Sequence, residues 1–67
     1  MWFRADIGYT EKVPVEHHVG RHCFVEADHV GIAEKRINDY FTTHRFKDLK
    51  VNHITKIDYI PTSGILD

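Results

Sequence analysis

The chain is poor in the features that staple, export or anchor a small protein. Its 67 residues include one cysteine, Cys23, so no disulfide can close within it and secretion is not implied. A reducing, cytoplasmic setting is the expectation. No apolar run approaches about 18 residues, and Met1-Trp2-Phe3-Arg4-Ala5-Asp6 does not open a signal peptide, so neither a membrane span nor export is predicted. An excess of charge of one sign is missing too. Nine Lys and Arg against ten Asp and Glu leave a formal net charge of -1, far from the broad positive field of a non-specific duplex binder. Gly-rich phosphate loops, a nucleophile elbow, paired acidic motifs, internal repeats, low-complexity tracts and linkers are all lacking.

What is present is ordinary globular material, 42% hydrophobic and 28% charged, which argues against disorder. A chain this short buries only about 60% of its unfolded surface, so one domain spanning residues 1–67 with one thin core is expected. Chains of this size without disulfide or metal are often helped by self-association. Six histidines make the charge sensitive to mild acidification.

Periodicity predicts an α+β domain of the order strand, strand, helix, strand. Phe3, Ala5, Ile7 and Tyr9 alternate with Trp2, Arg4, Asp6 and Gly8, the pattern of a half-buried strand over about 2–9. Thr10 to His18, with Pro14 and scattered charge, reads as a long hairpin connection. A second strand over about 19–27 sends Cys23, Val25 and Ala27 to one face and His22, Phe24 and Glu26 to the other. Asp28 suits an N-cap. The helix over about 28–44 then carries Val30, Ala33, Ile37, Tyr40 and Phe41 at three- and four-residue spacing, with Gly31 weakening its first turn. The last strand, about 49–60, places Leu49, Val51, Ile57 and Tyr59 on one face and Lys50, Asn52, Ile54, Lys56 and Asp58 on the other. A bulge near His53 and Thr55 would turn those two outward and Ile54 inward. Pro61 ends the strand and a short tail follows.

The simplest pairing puts both later strands antiparallel to the first, in sheet order 2-1-3, with the helix on one face. The other face then presents Trp2, Arg4, Asp6, His22, Phe24, Glu26, Lys50, Asn52, Lys56 and Ile54. Aromatic and aliphatic side chains beside Arg and His have the composition of an interaction surface. Trp2 and Phe24 can instead simply cover each other as a cross-strand pair, worth about 0.2–1 kcal/mol. As an interface, this face docks a protein, a host target or a second copy, through Trp2, Arg4, His22, Phe24, Ile54 and Lys56. The alternative is single-stranded nucleic acid, with bases stacked on Trp2 and Phe24 and phosphates met by Arg4, Lys50 and Lys56. Asp6, Glu26 and Asp58 oppose a polyanion and favour the protein partner.

His17, His18, His22 and Cys23 offer zinc-type donors, but their spacing matches no paired-ligand pattern, and alternation sends His22 and Cys23 to opposite faces. A metal-stabilised domain is therefore a third alternative, and neither metal nor cofactor is expected. Cys23 reads as a small core residue, and a chain this thin has little depth for a water-excluding pocket, so no enzyme is expected. His53 reads as a polar strand residue, and His44 near the helix end as a partner of the helix dipole.

Met1-Trp2-Phe3, the stretch Phe24-Val25-Glu26-Ala27-Asp28 leading to Ala33-Glu34 and Ile37, and Ile54-Thr55-Lys56-Ile57-Asp58-Tyr59-Ile60 resemble small uncharacterised proteins of bacteriophages and mobile elements. The element order is similar to that of the small phage inhibitor of bacterial RNA polymerase. That resemblance implies a cytoplasmic accessory protein that docks onto and modulates a host protein; architecture alone carries no residue role across.

Overall fold

A computed structural model describes residues 1–12, 14–42 and 46–66. Three strands and one helix follow in the order β1 (Trp2–Glu11), β2 (His17–Glu26), α1 (Val30–Thr42) and β3 (Phe46–Ile57). The sheet order is β2-β1-β3 with both pairings antiparallel, the α+β arrangement expected from the alternation. The elements start or stop a few residues from their predicted bounds, and the expected helix end at His44 lies outside the described residues.

The core is one layer between the helix and one sheet face. β1 contributes Phe3, Ala5, Ile7 and Tyr9, β2 contributes Cys23 and Val25 with Ala27 just beyond it, and α1 contributes Ala33, Ile37 and Phe41. A 13-residue helix is about 20 Å long, whereas the molecule extends 37 Å along its longest axis. The helix therefore cannot cover the whole sheet. Near its end Tyr9, Phe41 and Phe46 fill in, with ring centroids 5.0 Å apart for Tyr9 and Phe41 and 4.6 Å for Tyr9 and Phe46.

The helix cap differs from expectation. The Ala27 N–H donates to the Met1 carbonyl at 2.9 Å, so strand pairing runs one residue past β2. Val30, not Asp28, then opens the helix, and Val30 is exposed rather than part of the apolar stripe. The His29 carbonyl accepts from Ala33 at 3.1 Å, and its ring Nδ1 accepts from the Gly31 N–H at 3.2 Å. His29 is the cap residue, filling with an imidazole the acceptor role expected of the Asp28 carboxylate.

β3 departs furthest from a regular strand. Asp6 faces His53 while Ile7 faces Val51, leaving Asn52 as an extra residue. A second irregularity lies between Gly8, opposite Lys50, and Thr10, opposite Lys47; Asp48 within it takes a left-handed φ of 56°, which Asp tolerates. Each extra residue resets the phase. Beyond Asn52, Ile54 lies opposite Ala5 and Lys56 opposite Phe3, on the helix side, while His53, Thr55 and Ile57 pass to the other face. Ile54 packs against the core, so neither Ile54 nor Lys56 belongs to the outer face where regular alternation puts them.

Candidate docking surface

The face away from the helix is built in cross-strand rows. Register sets Glu26, Trp2 and Ile57 side by side, then Phe24, Arg4 and Thr55, then His22, Asp6 and His53. Four of the six predicted interface residues, Trp2, Arg4, His22 and Phe24, share this face, and Ile54 and Lys56 do not. Arg4 holds Asp6 at 3.5 Å, both half in solvent, an exposed pair worth about 0–1 kcal/mol. The His22 ring meets Phe24 edge-on at 5.8 Å between centroids, and the His53 ring is hydrogen-bonded to the Thr55 hydroxyl. Each member of the His22, Asp6, His53 row thus has its own neighbour. Among the described residues no group of three His, Cys, Asp or Glu side chains is placed to hold a metal ion.

This face is only partly open. After Ile57 the chain does not continue the strand; it turns back over the outer face. Tyr59 lies 6.4 Å from Phe24 between ring centroids, and a Cβ at Gly64 would come within 3.5 Å of the same ring. Pro61, in the middle of this crossing, is buried. The chain then reaches the outer edge of β2, where Ile65 bridges Phe24 in parallel and Leu66 packs against the core. Phe24 is therefore half-buried under the chain's own strap and is no free stacking platform. Trp2 is half-buried as well.

One cluster of exposed apolar residues lies at the end of the sheet away from the hairpin, while Val15, 68% exposed, stands apart in the β1–β2 connection. Met1 is held beside Ala27, Trp2 stands opposite Ile57, and Tyr59 and Ile60 follow Ile57, so these residues converge on one pole. Met1, Tyr59 and Ile60 are 51%, 52% and 76% exposed, and Val30, three residues after Ala27, is 47% exposed. The exposed carboxylates of Glu26, Asp28 and Asp58 neighbour this patch, and so does Arg36, whose guanidinium donates to the Glu26 carbonyl at 2.9 Å. Tyr59 and Ile60 were not among the expected interface residues, because continuing the strand to Pro61 hides Tyr59 on the helix side. The readable signal was the pair of large apolar residues directly before a proline, where ladder pairing must stop.

Cys23 sits on the opposite, helix-facing side and is 1% exposed. Burial pushes its thiol above the ordinary value of 9.0, only partly offset by the Arg21 charge. A thiol so placed is a packing residue, not an activated nucleophile. No protein-family model, curated protein or solved structure matches this chain.

Proposed function

We infer that the protein is a non-enzymatic protein-binding module that docks through the apolar pole formed by Met1, Trp2, Tyr59 and Ile60. The observation that carries this reading is the convergence of three large, half-exposed or more exposed apolar side chains on one end of a small sheet. Such a patch loses water on docking and gains about 25 cal/mol for each Å² of apolar surface covered. The carboxylates of Glu26, Asp28 and Asp58 together with the Arg36 guanidinium give it a rim of mixed charge that suits a partner with a complementary polar rim. The resemblance to bacteriophage and mobile-element products supports taking the partner to be a host protein that the docked domain modulates.

Affinity capture from bacterial lysate, followed by direct titration of the captured protein, tests this. Trp2→Ala should weaken the titrated affinity by about 2 kcal/mol, the size of an anchor residue's contribution. Ile60→Asp, at an exposed position, should abolish binding with an unchanged melting temperature. Retention of RNA alone, removed by nuclease, would sink the reading, as would capture indifferent to both substitutions. Phe24→Ala is expected to loosen the strap rather than the partner, because Tyr59 and Gly64 already cover its ring.

A further inference from the structure

The outer edge of β2 has a backbone seat, and the chain occupies it with its own segment. The Phe24 N–H donates to the Gly64 carbonyl at 2.8 Å, and the Leu66 N–H donates to the Phe24 carbonyl at 2.8 Å. Among the described residues, Phe24 is the only β2 position bridged in this way. The seat also has side-chain requirements. Gly64 has a φ of +73°, a backbone conformation that residues with a side chain rarely adopt, and it packs in ordinary contact with the Phe24 ring. Leu66 reaches past the edge to the helix side, where a cavity of about 160 Å³ remains between it and Arg21, Cys23, Tyr40, Phe41 and Phe46. The seat is thus larger than what fills it.

We propose that this edge is a strand-acceptor site for an extended segment consisting of a glycine followed by two aliphatic residues, and that Gly64–Leu66 of a second copy of this chain occupies it in trans. Every contact the segment makes within one chain can be made identically by the same segment of another, so exchange creates no new chemistry and loses none. The connection from Asp58 to Ser63 is neither helix nor strand, so it can redirect the segment without breaking a ladder. Two backbone hydrogen bonds and one half-buried leucine are a modest hold. Against it stands the effective concentration of a tethered segment, typically millimolar for a short connection. Exchange therefore belongs to high protein concentration or to a chain whose own segment has been weakened. This seat lies on the edge of β2, away from the pole residues Met1 and Ile60, and does not depend on the docking proposed above.

The test uses the full chain. A fluorescent peptide with the sequence of residues 58–67 is titrated into the unsubstituted chain and into Leu66→Asp, whose own segment no longer fits the apolar seat. The peptide should bind Leu66→Asp at least tenfold more tightly, and a Gly64→Val peptide should not bind. Light scattering from micromolar to millimolar protein should show the unsubstituted chain passing from monomer to dimer. Equal or absent peptide binding by the two chains overturns the proposal. So does a dimer that survives Leu66→Asp but is lost in Ile60→Asp, which would assign self-association to the pole. If Leu66→Asp does not fold, amide exchange of the unsubstituted chain decides. Phe24 and Leu66 should exchange through an opening that leaves the Ala5 amide protected; exchange of all three only on global unfolding overturns the proposal.

Discussion

Cys23 combines packing and chemistry in one side chain. It stands opposite Ala5 in the register and is walled off from water, which makes the thiolate costly and holds the proton on sulfur. The folded thiol keeps its proton above pH 9.0, where the unfolded chain has begun to lose it. The unfolded state then binds fewer protons than the folded state, so stability falls as pH rises through that interval. Below pH 9.0 the contribution is complete. Urea unfolding followed across that range should show the decline, and Cys23→Ala should flatten it. A thiol-reactive reagent at neutral pH should label Cys23 only as fast as the fold opens; immediate labelling in native buffer would contradict the burial. This placement was legible in the sequence because alternation is reliable over an unbroken strand. Phe24, one residue on, shows where it stops: its face was readable, but its cover by Tyr59 and Gly64 was not, since residues 35 to 40 positions away supply it.

At the scale of elements, the helix start and the third strand depart most from local rules. Asp28 has the better intrinsic capping chemistry, yet Ala27 is still paired with Met1, which delays the turn into the helix by a residue and brings His29 into position. The His29 ring folds over Gly31 so closely that a Cβ there would lie 3.1 Å from ring Cε1 and 3.2 Å from Nδ1. The glycine that weakens the helix thus accommodates its cap. Gly31→Ala alone should give less than the roughly 1 kcal/mol that alanine ordinarily gains, because the ring must shift. In a His29→Ala background the full gain should return, and a double-mutant cycle in thermal unfolding measures the difference. A full gain in both backgrounds would remove the cap from the account. In β3, alternation is sound on either side of Asn52 but changes sign across it. His53 and Thr55 at apolar positions signalled that some bulge was needed, and the expected one falls a residue away from that found. No single residue type dictates which position is extruded; the pairing with β1 does.

For the whole molecule, length and thinness govern stability. The sheet is longer than its helix, so its two ends are secured differently. At the hairpin end Glu16, in the connection before β2, pairs with Lys47 at the start of β3. The Lys47 hydrogen bond and charge hold the Glu16 carboxyl below its ordinary value of 4.5. A folded-state value depressed in this way stabilises the fold above pH 4.5, and that contribution disappears as pH falls through the folded value. Melting temperature followed into acid should therefore drop less steeply in Glu16→Gln than in the unsubstituted chain, and high salt should reduce the difference because both side chains reach solvent. Identical acid profiles at low salt would show that the pair contributes nothing. The opposite end is secured by the strap, which leaves Tyr59 and Ile60 in solvent.

The strands, the helix, the order 2-1-3 and the face carrying Trp2, Arg4, His22 and Phe24 were determined by the sequence alone, because periods of two and of about three and a half residues record which side of each element avoids water. Tertiary structure alone decided which residue of β3 is extruded and that Lys56 changes sides with it, that His29 replaces Asp28 as cap, and that the chain returns over its own sheet to cover Phe24. Those outcomes depend on contacts between residues far apart in the chain, where register, ring stacking and edge pairing compete, and no local pattern of hydrophobicity encodes the winner.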